Sequence, residues 1–369
     1  MSVKENIIQR IQLEGPLSFH DFMEMALYYP SSGYYTSEGE KIGKHGDYYT
    51  SPCLGNFFGE LIGKQVIEMW TKLGEQDFSI IEYGAGSALL CRDMLDYLRH
   101  NSPMYKGLTY YIIEKSPEMK KKGEKVLAGF ENKVKWIDSM ASLSDVSGCV
   151  LSNELVDNFA VHQVIMQDEL MEVFVDHTNG TFTELLKPAS KQLHDHLNNL
   201  GITLPQGFRT EINLQAESWI KEIALSLRRG FVITIDYGYL SADLYEEQRK
   251  SGTLLCYHKH SINDDPYRHV GEQDITAHVN FSALSRYGAN LGLNHCGFTS
   301  QSNFLLSLGL TEHLRQLEKK EQSSPAANNG ASMLFTFLLQ MGQKIKVLIQ
   351  QKGLDRVMLS GMQFPLRFA

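Results

Sequence analysis

The 369-residue chain lacks cysteine pairs at a chelating spacing, long apolar runs and an excess of positive charge, and each absence excludes something. Its five cysteines, Cys53, Cys91, Cys149, Cys256 and Cys296, are widely scattered and none forms a C-x-x-C. That excludes a cysteine zinc site or a redox pair, and an odd, unpatterned count fits a reducing compartment. Histidines occur at i, i+2 in His194/His196 and His258/His260, but no further ligands accompany them, so no metal site is expected. No apolar run approaches the ~18 residues of a membrane span. The start, MSVKENIIQRIQLEGP, has neither the apolar segment of a signal peptide nor an Arg/Ser-rich transit character. A soluble, cytoplasmic chain without membrane insertion is expected. Lys and Arg number 35 against 43 Asp and Glu, a net charge of −8, which argues against nucleic acid or anionic membrane as a partner. The run Lys120-Lys121-Lys122 reads as the solvated face of a helix.

What is present begins with FSIIEYGAGSALL, residues 78–90. An apolar strand turns through Gly84-Ala85-Gly86 and enters a helix. Glycines let backbone approach a ligand, and the helix turns its free N–H groups toward it. A second strand, Leu108–Ile113, ends at Glu114, where an acid takes ribose hydroxyls in nucleoside-binding units. A dinucleotide site wants G-x-G-x-x-G to cradle a pyrophosphate, and Leu89 stands where the third glycine belongs. Glu82 adds an acid two residues before the turn. S-adenosyl-L-methionine (SAM) has no pyrophosphate and carries a sulfonium and an ammonium, so it suits this turn better than NAD.

The 43% apolar content can fill one large α/β domain with insertions or two modest domains. Residues 1–75 read as an N-terminal helical extension: a helix around Ile7, Ile8 and Ile11, another capped by Ser18, and a long helix over Leu54–Leu73. Strands are expected at Phe78–Tyr83, Leu108–Ile113, Val134–Ile137, Cys149–Ser152 and Phe231–Ile235, with helices at Ala88–Arg99 and Pro117–Leu127, the latter capped by Ser116. Strand alternating with helix implies a parallel sheet whose ligands bind at the carboxyl ends of the strands. Asp138, Ser139, Asn153 and Glu154 should share that edge. Insertions are expected at about 155–212, with a meander of strands Val161–Met166, Leu170–Val175 and Thr181–Leu185, and at about 239–280, polar and irregular; both would form a β/helical lobe. Helices over Leu193–Gly201, Leu214–Leu227 and Phe281–Leu291, strands at Leu293–Phe298 and Lys344–Gln350, and a linker over 321–331 complete the reading.

Eight blocks in order resemble the MidA-like family of SAM-dependent methyltransferases: FMEMALYYPSSGYY, GDYYTSP, IIEYGAGSALL, LSNELVDNFAVH, FRTEINL, VITIDYGY, GTLLCYHKH and DITAHVNFSAL. The family includes a mitochondrial complex I assembly factor that methylates an arginine of a partner subunit. The resemblance implies an α/β, Rossmann-like, seven-stranded methyltransferase domain over 76–369, SAM as cofactor and a protein substrate. Some members pair, so a homodimer is among the states it allows. One departure stands out: the family commonly has Arg and Gly where Ser87 and Ala88 stand here.

A guanidinium is a planar cation with five donors, best held by carboxylates. Glu154 and Asp157, directly after the fourth strand, are the expected catalytic acids, with Asn153 as an amide partner. For the cofactor, Glu114 is assigned to ribose, Gly84, Gly86 and Glu82 to the methionine moiety, and Asp138 and Ser139 to adenine. In the family GDYYTSP closes over the cofactor, which adds Gly46, Asp47, Tyr48 and Thr50. Asp236 and Tyr237 are candidates for the substrate side, and His162 and His258 for proton acceptance. Two other functions compete. One is a methyltransferase-shaped assembly or chaperone module with weak transfer; the other is an NAD-dependent oxidoreductase, disfavoured by the missing glycine.

Overall fold

The computed structural model describes residues 1–39, 41, 43, 46–47, 50–322 and 341–366. These form an α/β protein with mixed sheets, divided into two compact units. The first unit joins residues 1–49, 156–219 and 239–286; the second joins 50–155, 220–238 and 287–369.

In the second unit, apolar β-branched segments make a buried sheet. Seven of its eight strands are β1 (Ser79–Tyr83), β2 (Thr109–Ile113), β3 (Val134–Trp136), β4 (Val146–Asn153), β5 (Leu227–Tyr239), β6 (Asn294–Ser300) and β7 (Ile345–Lys352). Across the sheet they run β6-β7-β5-β4-β1-β2-β3. Strands β1 to β5 pair in parallel, whereas β7 is antiparallel to both β5 and β6. The connections between parallel strands need helices, which the sequence provides at Leu89–Asn101 and Pro117–Val126. Ser116 caps the second of these as expected, its hydroxyl accepting from Met119 N at 3.3 Å, with Pro117 at the first position. Ile80, Ile112, Leu151, Phe231, Ile233 and Val347 are buried in one core with Leu61, Val66, Leu90 and Leu95 from the helices. Each such side chain contributes about 1.5–3 kcal/mol through removal from water. At Gly148, a Cβ would stand 1.9 Å from the Ser79 carbonyl oxygen, so β1 and β4 can approach only because this side chain is absent.

The first unit begins with helix Val3–Glu14, opened by a capping box of Ser2 and Glu5, and helix Phe19–Tyr28, capped by Ser18. Strands His162–Met166, Leu170–Thr178 and Thr181–Pro188 form the expected meander, the last two joined by Asn179-Gly180, both at positive φ. Phe19, Phe22, Met23 and Ala26 pack with Val173 and Val175. Leu193 and Leu197, one turn apart on helix Lys191–Leu200, pack with Val164, Leu170 and Phe208.

Several boundaries differ from the sequence reading. The helix expected from Leu54 starts at Phe57, after a short 3₁₀ turn over Ser51–Leu54. Strand β5 has 13 residues rather than five, because its pairing with β4 reaches back to Leu227 and its pairing with β7 runs on to Tyr237. Strand Arg209–Ile212 has only four residues and no alternation to reveal it; pairing with His162–Met166 makes it a strand. The stretch 239–280, expected to be irregular, contains a small sheet of Leu255–His258, Ser261–Asn263 and Asp274–Thr276. Helices Gln301–Ser307 and Leu310–Gln322 were not anticipated. The linker expected over 321–331 lies, from 323 onward, outside the described residues. No helix among the described residues is long and apolar enough to cross a membrane.

Candidate functional site

The carboxyl ends of β1, β2, β4 and β5 gather the chemistry of the second unit. After β1 the backbone turns through Gly84 and Gly86, at φ +67° and +52°. A side chain at Gly84 would begin 2.6 Å from Leu155 Cδ1, so glycine lets Leu155 pack directly against the turn. Ala88 continues the turn at φ +57°, fully buried, and helix Leu89–Asn101 follows. The departure from glycine at this position therefore falls on a left-handed residue, where alanine is strained.

Glu114 stands at the end of β2 and braces this turn. One carboxylate oxygen accepts from Gly86 N at 3.0 Å and the other from Ser116 N at 2.8 Å. Burial raises its pKa, while the Ser116 and Gly86 donors oppose the rise. The Lys115 N–H is a third backbone donor to this carboxylate, which offers about four acceptor sites, so one remains for a hydroxyl. Glu82 lies deeper, within β1, and accepts from the buried Tyr110 hydroxyl at 2.7 Å. Burial pushes Glu82 up to about 7, opposed by Tyr110 and reinforced by the charge of Glu114.

Glu154 follows β4 in the left-handed conformation, φ +49°. Its N–H donates to Ile235 O at 2.8 Å, and the next N–H, of Leu155, donates to Asp236 Oδ2 at 3.1 Å. Asp236, fully buried toward the carboxyl end of β5, thus pins the turn that presents Glu154. The Glu154 carboxylate accepts from Ser51 N and Asn153 Nδ2, each at 3.2 Å. Ser51 Oγ in turn accepts from the fully buried Gln301 at 3.0 Å. Burial pushes Glu154 up to about 7; Asp236 adds to the rise, and Ser51 and Asn153 oppose it. Asn153 Oδ1 is buried with no hydrogen-bond partner.

After β3, Asp138 is exposed, and Ser139 donates from Oγ to Glu222 Oε1 at 2.8 Å. Thr50 precedes the 3₁₀ turn of Ser51, with Oγ1 3.5 Å from Cys53 Sγ. Tyr237 follows Asp236, donating its N–H to Asp236 Oδ1 at 2.8 Å.

The remaining candidates belong to the first unit. Asp157 is buried, and its carbonyl accepts from Ala277 N at 2.9 Å. Gly46 is buried, its N–H donating to Gly43 O at 3.0 Å, and Asp47 accepts from Tyr34 Oη at 2.7 Å and Lys259 N at 2.5 Å. His162 Nδ1 lies 2.7 Å from Glu172 Oε1, and His258 Nδ1 lies 2.7 Å from Glu272 O. Tyr48 lies outside the described residues.

Sequence reasoning named Glu154, Asn153 and Asp236 but missed Ser51 and Gln301 as their supports, and missed Glu222. Gln301 is 250 residues from Ser51, a separation no local pattern bridges. Glu222 reads as one more polar residue on an amphipathic helix.

Two surface clefts lie elsewhere: one of about 570 Å³ around Arg92, Asp96 and Phe130, and one of about 620 Å³ around Asp77, Asp145 and Arg228. The second opens at the amino ends of β1 and β4, opposite the edge that carries the glycine turn. Neither is lined by Glu114 or Glu154.

A family model for S-adenosyl-L-methionine-dependent methyltransferases matches residues 61–299. The chain belongs to that family. Its MidA-like character is shown by relatives of low identity but long coverage. The Drosophila melanogaster protein arginine methyltransferase NDUFAF7 homolog, mitochondrial, is 24% identical over 95% of this chain and 85% of its own length. The Mus musculus protein arginine methyltransferase NDUFAF7, mitochondrial, is 24% identical, covering 85% of this chain and 76% of its own. A Burkholderia thailandensis protein crystallised with S-adenosyl-homocysteine superposes with a TM-score of 0.87 at 28% identity, covering 99% of this chain and 95% of that one.

SAM is thus the cofactor of this methyltransferase, and the β1–β2 edge fits it. Beside the glycine turn, Glu114 retains acceptor capacity for a ribose hydroxyl.

Proposed function

We propose that this methyltransferase modifies the guanidinium of an arginine in a partner protein, on a seven-stranded Rossmann-like sheet. The order β6-β7-β5-β4-β1-β2-β3 of seven of the sheet's eight strands, with β7 alone of these reversed, supports that sheet class. One observation carries the substrate reading: acceptors gather after β4. Glu154 and the unpartnered Oδ1 of Asn153 stand together, and a guanidinium has five donors and no acceptor. The relatives named protein arginine methyltransferases support the same reading.

Bound SAM supplies the methyl group as a cationic donor. The protein's part is alignment and electrostatics. With a pKa near 7 before a cation arrives, Glu154 is drawn fully to the carboxylate by a neighbouring guanidinium. Its charge then orients the group and holds positive charge on the nitrogens that do not attack. Asp236 and the Ser51–Gln301 pair keep that carboxylate in place.

The test is transfer of labelled methyl from SAM into a methyl-depleted lysate, followed by amino-acid analysis. Methylarginine should appear, and Glu154→Gln should reduce it by about 100-fold or more while S-adenosyl-homocysteine still binds. Label on another amino acid would end the arginine reading. A second reading, an assembly module with weak transfer, is favoured by strained Ala88 in the turn; binding without any label would support it.

A further inference from the structure

We propose that Glu222 is a positioning residue of the cofactor site, locking the turn after β3 in the form that reads the adenine ring. The proposal rests on the assignment of Asp138 and Ser139 to adenine. Glu222 lies on helix Leu214–Ser226, more than 80 residues from the nearest group it binds. Its Oε1 accepts three hydrogen bonds: from Ser139 Oγ at 2.8 Å, Met140 N at 2.8 Å and Tyr83 Oη at 3.0 Å. Two of these donors belong to the turn after β3. The third is the last residue of β1, immediately before Gly84.

One carboxylate oxygen therefore ties the adenine turn to the start of the glycine turn. Hydrogen bonds to an ionised acceptor are the stronger kind. Ser139 is held at both ends, because its hydroxyl also accepts from Ala141 N at 3.0 Å. Tyr83 is buried, and burial together with the charge of Glu222 raises its pKa, so it remains a donor throughout the working pH range. Asp138, next to this anchored serine, is exposed at the sheet edge. A carboxylate there can accept from the exocyclic amine of adenine. Hypoxanthine carries a carbonyl oxygen at the same place, which a carboxylate repels. A turn fixed by Glu222 thus discriminates between the two bases, whereas a loosened turn lets Asp138 swing away from either.

The experiment measures binding of S-adenosyl-homocysteine and S-inosyl-homocysteine by titration calorimetry on the full chain. The wild type should prefer the adenosyl form by about 10- to 100-fold, the range of one hydrogen bond to a charged group. In Glu222→Ala the preference should fall to within about 3-fold, and in Glu222→Gln, which keeps a neutral Oε1 acceptor, it should largely return. Equal weakening of both ligands in Glu222→Ala, with the preference intact, would make the residue a structural staple only and overturn the proposal. If Glu222→Ala does not fold, Ser139→Ala and Tyr83→Phe each remove one donor and should each lower the preference; an unchanged preference in both would overturn it too. Asp138→Ala separates the underlying assignment: if the wild type discriminates and Asp138→Ala does so equally, the adenine assignment fails rather than the lock.

Discussion

Replacing Glu154 by glutamine should stabilise the protein in alkaline solution while impairing its chemistry. The carboxyl is pushed from 4.5 up to about 7, mainly by burial and further by Asp236. Raising a carboxyl from 4.5 to about 7 corresponds to about 3 kcal/mol of strain when the group is ionised in the folded state, at about 1.36 kcal/mol per tenfold change in proton affinity. The sign follows from proton uptake. Between 4.5 and 7 the folded state binds more protons than the unfolded one, so stability falls as pH rises through that window. Glutamine keeps an oxygen for Ser51 N and carries no charge. Urea denaturation at pH 8 should therefore show Glu154→Gln more stable by about 3 kcal/mol, and at pH 5 by under about 1 kcal/mol. Glu82 and Asp274 also titrate near 7, but they are present in both proteins and cancel in the difference. A gain independent of pH, or a loss at pH 8, would refute the claim that burial strains this carboxylate. Stability gained at the expense of activity is what a site residue, rather than a packing residue, should show.

Other outcomes follow from the same geometry. Wild-type stability should decline between pH 5 and 8, since Glu82, Glu154 and Asp274 each sit near 7 when folded; denaturation midpoints rising over that range would contradict it. Gly84→Ala places a Cβ at φ +67°, 2.6 Å from Leu155, and should weaken S-adenosyl-homocysteine by about 10-fold or more through about 1–2 kcal/mol of backbone strain and a displaced leucine; unchanged calorimetric affinity would show that the turn does not hold the cofactor. Ala88→Gly relieves about 1–2 kcal/mol of left-handed strain but removes a buried methyl worth about 0.8 kcal/mol and frees the unfolded chain by about 0.5–1 kcal/mol. Its denaturation midpoint should stay close to wild type, and a loss above about 2 kcal/mol would mean the methyl packs better than its position suggests.

Short-range physics made part of this protein legible in its sequence. The strand, glycine turn and helix at 78–101, the Ser18 and Ser116 caps, and the Asn179-Gly180 hairpin depend on neighbours within a few residues, so periodicity and turn chemistry reveal them. The acids at Glu82, Glu114 and Glu154 could likewise be placed at or near strand ends. Tertiary structure decided the rest. It set β7 between β5 and β6, reversed, although β6 precedes it in the chain. It grouped residues 1–49 with 156–219 and 239–286. It made a strand of Arg209–Ile212 by supplying a partner. Around Glu154 it assembled Ser51, Asp236 and Gln301, and it brought Tyr83, Ser139 and Met140 onto one oxygen of Glu222. A local pattern tells which face of a helix or strand is apolar; it holds no information about which distant residue will arrive opposite, and that pairing sets the charge, burial and reach of each acid.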